Sequence, residues 1–234
     1  MERLSSMDGY NEGLSGNINI KTYIPGKIVC VGMNYRSHVD EQDGRFPSSP
    51  VLFAKARSCV IKDGENIIYP EQTKQLDYEV ELAAIIGKKA RDVEVDDIPS
   101  HIYGYTVFND ITARDLQKSE GQWYRAKSFD TFGPLGPTVT KPEELGDPQD
   151  ISLKSYVNGE LRQDGNTSDM IFGVYELISY ISHSITLFPG DLISTGTPSG
   201  VGLFSGGSKL LRPGDVVACE IEGIGRITNE VVSP

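Results

Sequence analysis

The 234-residue chain is poor in cysteine, in positive charge and in long apolar runs, and each shortage excludes something. Three cysteines, Cys30, Cys59 and Cys219, are odd in number and far apart. They form neither a disulfide framework nor a zinc motif, and they fit a reducing, cytoplasmic setting. Lys and Arg total 22 against 33 Asp and Glu, giving a net charge of −11. A surface for nucleic acid or anionic membrane wants the opposite sign. The longest uncharged, mostly apolar stretch runs only from Leu177 to Gly190, and Ser179, Ser182, His183 and Ser184 interrupt it. A membrane span needs about twenty residues. Residues 1–13 have neither an apolar core nor a small-residue cleavage pattern, so no signal peptide is expected.

What remains is ordinary globular composition, 38% hydrophobic and 24% charged, which argues against a long disordered chain. At roughly 150 residues per domain, one large domain over residues 26–234 is expected. The polar, Gly-rich residues 1–25 would precede it as an arm or small appendage. The 25 Gly and 13 Pro stand between short apolar runs, the rhythm of many strands joined by turns. Strands are predicted over Lys27–Gly32, Val51–Lys55, Tyr78–Gly87, His101–Asp110, Leu153–Val157, Asp191–Thr195, Val216–Ile221 and Gly225–Val231, with a hairpin at Asn158-Gly159. Helices are fewer. Val174, Leu177, Ile178, Ile181 and Ile185 recur at helical spacing and predict a helix over Gly173–Thr186. Another would begin within Thr112–Glu120, capped by Thr112 or Asp110. The fold class is α+β, mostly β.

Several residues could carry chemistry. In Asp77-Tyr-Glu79-Val-Glu81-Leu, strand alternation puts the three carboxylates on one face, where Glu79 and Glu81 can converge on a hard cation or simply face solvent. The apolar run Ala83-Ala-Ile-Ile86 that follows favours burial, and buried carboxylates need partners. Asp110, at a strand end, reads as a helix cap or as a third ligand. His38 and Glu41 lie three apart; on a helix they can hydrogen-bond as an oriented general base. Of the other two histidines, His101 and His183 read as surface or packing residues. Lys127 has no decodable spacing and reads by default as solvated. The Gly-rich segment Thr195 to Gly202 lacks the ending of a phosphate loop, leaving a tight turn or an amide nest for a carboxylate.

Taken together and in order, these segments resemble the fumarylacetoacetate hydrolase family. The resemblance rests on Val31-Gly-Met-Asn-Tyr-Arg-Ser-His38-Val-Asp-Glu41, Pro50-Val-Leu-Phe-Ala-Lys55, Asp77-Tyr-Glu79-Val-Glu81-Leu and Asn109-Asp110-Ile-Thr-Ala-Arg114-Asp-Leu-Gln117. It continues through Lys127-Ser-Phe-Asp-Thr-Phe-Gly-Pro, Val157-Asn-Gly-Glu and Pro189-Gly-Asp to Gly202, about residues 27–232 in all. The resemblance implies a mixed β-sheet rolled into a barrel-like core with a few peripheral helices, and a homodimer. It implies Mg²⁺ or Mn²⁺, with Ca²⁺ as a substitute, held by Glu79, Glu81 and Asp110. His38 and Glu41 would be the acid–base dyad, and Lys127 would lie beside the reacting carbon chain. Gln117 and Thr197 would contact the substrate's carboxylate or keto oxygen, with Arg114 and Lys55 as weaker matches of the same kind. Residues 42–50 fall where family members carry a mobile lid.

The resemblance is to compact single-domain members: acylpyruvate hydrolases, oxaloacetate decarboxylases and 2-hydroxyhepta-2,4-diene-1,7-dioate isomerases of aromatic catabolism. It implies enolate chemistry on a small 2-oxo acid, with hydrolysis or decarboxylation ranked ahead of isomerisation. The competing class is a non-catalytic protein that holds a cation for structure, and His38 separates the two.

Overall fold

The computed structural model describes residues 14, 16–205 and 208–234. Most of the sequence-predicted arm therefore lies outside the described residues. Within its described part, Ile18, Ile20 and Tyr23 pack against the core, and the Ile18 N–H donates to Tyr103 Oη at 2.7 Å.

The chain order is β1 (Ile28–Gly32), α1 (Arg36–Asp40), β2 (Val51–Lys55), β3 (Val60–Lys62), β4 (Ile67–Ile68), β5 (Leu76–Asp77) and β6 (Val80–Ile86). It continues with β7 (Ile102–Asn109), β8 (Thr112–Ala113), α2 (Arg114–Glu120), α3 (Trp123–Lys127), β9 (Gly133–Thr140) and α4 (Pro142–Leu145). The last part is β10 (Ser152–Val157), β11 (Glu160–Asn166), α5 (Val174–Ser182), β12 (Leu192–Ser194), β13 (Val216–Ile221) and β14 (Gly225–Val232). A seven-stranded mixed sheet, order β2-β1-β12-β6-β7-β9-β3, curls into a half-barrel. A five-stranded sheet, β11-β10-β13-β14-β4, packs on it, and β5 pairs with β8 as a short ribbon. This is the mostly-β, rolled α+β fold expected.

Burial follows from position. β6 lies mid-sheet and is covered on both faces, so it reads as a continuous apolar run with Glu81 as its one charged residue. The predicted hairpin forms at Asn158-Gly159, both residues at positive φ (52° and 81°), as a two-residue turn between twisted strands requires.

Two sequence-predicted features need correction. Neither Asp110 nor Thr112 caps α2; Ala113 precedes that helix without a side-chain cap. The β8 residues come between Asp110 and the helix, and the Asp110 carboxylate turns inward to two lysines instead. The last helix stops at Ser182, short of Thr186, because the chain tightens so that Ser184 and Ile185 N–H both donate to Ile181 O.

Candidate active site

Strand register assembles the carboxylates. β6 and β7 are antiparallel with Val80 opposite Asn109, so Glu79, just before β6, meets Asp110, just after β7. The Asp110 N–H donates to Glu79 O at 2.9 Å and Asn109 Oδ1 accepts from Glu79 N–H at 3.0 Å, fixing that junction. Glu81 lies two residues on, and oxygens of Glu79, Glu81 and Asp110 all fall within 4.8 Å of one another. All three residues are buried, so the solvated-face alternative for this strand does not hold.

Buried cations surround the carboxylates. The Lys127 ammonium donates to Glu79 Oε2 and Asp110 Oδ2, each at 2.6 Å, and is itself buried, not solvated. Lys55 pairs with the other Asp110 oxygen. Arg114 donates through one terminal nitrogen to Glu79 at 2.7 Å and through Nε to Asp77 at 2.8 Å. Burial alone would raise Glu79, but Lys127, Arg114 and His38 outweigh it and hold the carboxyl well below the usual range. Glu81 makes no direct ion pair among the described residues, and Lys127 only partly offsets its burial. Burial first, then the neighbouring Asp110 and Glu79, push it up to about 8, although Ser194 Oγ and Gly196 N–H both donate to it. Asp77, Glu79 and Asp110 thus balance three cations (Lys55, Arg114, Lys127) while Glu81 keeps its proton, and one negative charge is in excess once Glu81 ionises. Converging hard oxygens with spare negative charge fit a divalent cation such as Mg²⁺ or Mn²⁺.

His38 and Glu41 sit on and just after α1, and His38 Nδ1 lies 2.6 Å from Glu41 Oε1. The Gly-rich segment after β12 is a nest for the protein's own carboxylates: Gly196 N–H serves Glu81, Gly200 N–H serves Glu41 at 2.9 Å, and Gly202 and Leu203 N–H serve Asp77. Its tip carries Phe204, whose ring packs edge-on to His38 at 6.0 Å.

These groups open on one cavity of about 600 Å³. Its walls include His38, Glu79, Glu81, Arg114, Gln117, Lys127 and Thr197, together with Gln42, Gln75, Phe53, Trp123, Leu203 and Phe204. Trp123 stacks edge-on against Phe53 at 5.3 Å and fits only because residue 32 is glycine; a Cβ there would lie 2.6 Å from the indole. Glu41, Asp110 and Lys55 stand behind this wall, Lys55 as a buried partner of Asp110. Of residues 42–50, Gln42 reaches the cavity, bonding His38 O at 3.0 Å, while Phe46 is exposed. His101 is buried in packing and His183 lies at the surface beside Asp92. Sequence reasoning missed Asp77 and Ser194 as partners. Asp77 opens the same acidic motif, and its position beside a buried strand was the available signal.

The description "fumarylacetoacetate (FAA) hydrolase C-terminal" belongs to the family model that matches residues 27–232. A mitochondrial oxaloacetate tautomerase of Rattus norvegicus is 43% identical over 209 residues, covering 89% of this chain and 67% of its own. A solved 2-hydroxyhepta-2,4-diene-1,7-dioate isomerase from Mycobacterium marinum shares 41% identity at a TM-score of 0.80, covering 90% of this chain and 76% of its own. A fumarylacetoacetate hydrolase from Exiguobacterium antarcticum shares 42% at 0.84, covering 91% and 77%. Ordered motifs, rolled sheet and carboxylate cluster agree with these matches, and the chain belongs to the fumarylacetoacetate hydrolase family.

Proposed function

We propose that this protein is a divalent-metal-dependent enzyme that moves a proton at the carbon beside the keto group of a small 2-oxo acid, with keto–enol tautomerisation of oxaloacetate as its first reaction. The observation that carries the reading is that His38, held by Glu41, opens on the same cavity as Glu79 and Glu81 of the buried carboxylate cluster. The tautomerase and isomerase relatives favour proton transfer, because both names describe reactions that rearrange protons and double bonds without losing atoms.

Glu79, Glu81 and Asp110 would hold Mg²⁺ or Mn²⁺, which supplies Lewis acidity to an adjacent carboxylate and keto oxygen. With a divalent cation in place of the Glu81 proton, the buried cluster would change from neutral to one positive charge, so an anionic substrate is admitted to an otherwise acidic protein. Glu41 fixes His38 through Nδ1, leaving Nε2 to take the proton from the carbon next to the keto group. The Lys127 ammonium, desolvated against Glu79 and Asp110, offsets the negative charge that then grows on the keto oxygen. Return of the proton to that oxygen completes the enol, with no atom lost. Gln117 holds the substrate carboxylate in this reading, while Thr197 shapes the same wall, its hydroxyl donating to Val80 O at 2.8 Å.

A second reading, C–C hydrolysis of acylpyruvates or decarboxylation of oxaloacetate, is favoured by the room in the cavity and by the apolar Phe53, Trp123 and Leu203 on its wall. The deciding assay follows enol-to-keto conversion of oxaloacetate by absorbance, alongside pyruvate release from acetylpyruvate and from oxaloacetate. Each is run with Mg²⁺, with Mn²⁺ and after EDTA. Metal-dependent tautomerisation without pyruvate supports the first reading; metal-dependent pyruvate supports the second. Silence in all arms from protein that still binds Mn²⁺ leaves a cation-holding protein without turnover. A homodimer is the expected assembly, checked by sedimentation.

A further inference from the structure

One fully buried carboxylate next to the site has no part in the proton transfer described above. Asp77 accepts four hydrogen bonds. Oδ1 takes Tyr78 N–H at 2.9 Å and Gly202 N–H at 2.7 Å; Oδ2 takes Leu203 N–H at 3.0 Å and Arg114 Nε at 2.8 Å. Three backbone amides therefore fix where the carboxylate sits before Arg114 meets it. Arg114 in turn uses all three guanidinium nitrogens: Nε on Asp77, one terminal nitrogen on Glu79, the other on Gln117 Oε1 at 3.1 Å. That last bond assigns the Gln117 amide. Its oxygen faces Arg114, so its NH₂, with no partner among the described residues, is the donor left for the cavity that Gln117 lines.

We propose that Asp77 is a positioning residue: by holding the Arg114 fork against rotation about Glu79, it aims the Gln117 NH₂ at the substrate's carboxylate. A planar fork bound at two carboxylates cannot swing, whereas one bound at Glu79 alone can pivot and lose the Gln117 contact. The segment after β12 is shaped for this purpose. A Cβ on Gly202 would lie 2.8 Å from Asp77 Oδ1, so only glycine lets the amide reach the carboxylate. Asp77 thus acts on substrate recognition from behind the wall, without touching the substrate. The inference rests on the 2-oxo acid reading of the cavity.

The test is calorimetric, with oxalate as the probe for an adjacent carboxylate and oxygen pair and with Mn²⁺ saturating. Asp77→Asn preserves the shape; with its oxygen on the Tyr78 and Gly202 amides, its NH₂ faces Leu203 N–H and Arg114 Nε–H and can accept from neither, so the hold on Nε is lost. It is expected to raise the oxalate Kd about tenfold while changing the Mn²⁺ Kd less than threefold. In a Gln117→Ala background the same substitution should add less than twofold, because the group it aims is already gone. A tenfold effect in both backgrounds, an unchanged oxalate Kd, or a parallel loss of Mn²⁺ binding each overturns the proposal, the last by showing a general collapse of the site. If Asp77→Asn does not fold, Gly202→Ala displaces the carboxylate from the loop side and is held to the same criteria. Wild-type protein that binds Mn²⁺ but not oxalate would defeat the 2-oxo acid reading itself, and this inference with it.

Discussion

Glu81 is the residue whose proton the site must manage. In the folded protein it keeps that proton up to about pH 8, whereas the ordinary value for a glutamate is 4.5. Between those values the folded, metal-free protein binds one proton more than the unfolded chain, so its stability falls as pH rises through this window. Cation binding must expel the same proton. Mn²⁺ affinity should therefore gain up to about tenfold per pH unit between roughly 5 and 8. Calorimetric titrations in buffers of different ionisation enthalpy should count about one proton released near pH 7, and a pH-independent affinity would contradict it. His38 gives the complementary result. His38→Ala should leave the Mn²⁺ Kd within about threefold and lower turnover by about 10²–10⁴, the usual worth of a positioned general base. Retained turnover in that variant would remove His38 from the chemistry. His38, Glu79, Glu81, Arg114, Gln117, Lys127 and Thr197 were legible through the order of their motifs and not singly, and the apolar wall of Trp123, Leu203 and Phe204 was not. Nor were the partners of the carboxylates: Lys55 and Asp110 are 55 positions apart, and Ser194 and Glu81 are 113 apart, so only the fold reveals who meets whom.

At the scale of elements, alternation and turn chemistry made the strands readable. The run from Tyr78 to Gly87 was expected as one strand; its first two residues, Tyr78 and Glu79, instead form a break between the ribbon strand β5 and β6. The break is functional geometry, since it puts Glu79 off the sheet and beside Asp110. The Gly-rich segment after β12 could be read as a turn or as a nest, and it serves as a nest whose guests are internal. Gly200 shows the constraint most plainly, with φ of +101° and a would-be Cβ only 2.2 Å from Arg162 O. Gly200→Ala should cost about 1–3 kcal/mol in urea denaturation and should also slow turnover through Glu41. Gly159→Ala at the hairpin, also at positive φ but with open space around it, should cost about 1–2 kcal/mol and leave turnover unchanged. Equal effects of the two on activity would mean that the segment only closes a turn.

For the whole molecule, the buried cluster balances its charge only by keeping the Glu81 proton and the chain carries a net charge of −11, so cation binding and folding should be strongly linked. At a free Mn²⁺ concentration 100 times its Kd, the folded state gains about 2.7 kcal/mol. For a chain of this size that corresponds to a rise in Tm of roughly 5–11 °C, reversed by EDTA. An EDTA-treated protein that melts with the Mn²⁺ form would place the cation elsewhere or nowhere. Sequence gave no access to this balance, because a surplus of acidic residues does not say which of them are buried together. Among the described residues no helix is long and apolar enough to cross a membrane, and the apolar surface goes instead into the two packed sheets.

Trp123 is the chain's one tryptophan, and it stands in the cavity wall against Phe53, over the space left by Gly32. The protein is therefore its own optical sensor. Light emitted by indole comes from that wall alone, so quenching or a wavelength shift on adding oxaloacetate would report occupancy of the site in unlabelled, unmodified protein, millisecond by millisecond and before any product is formed.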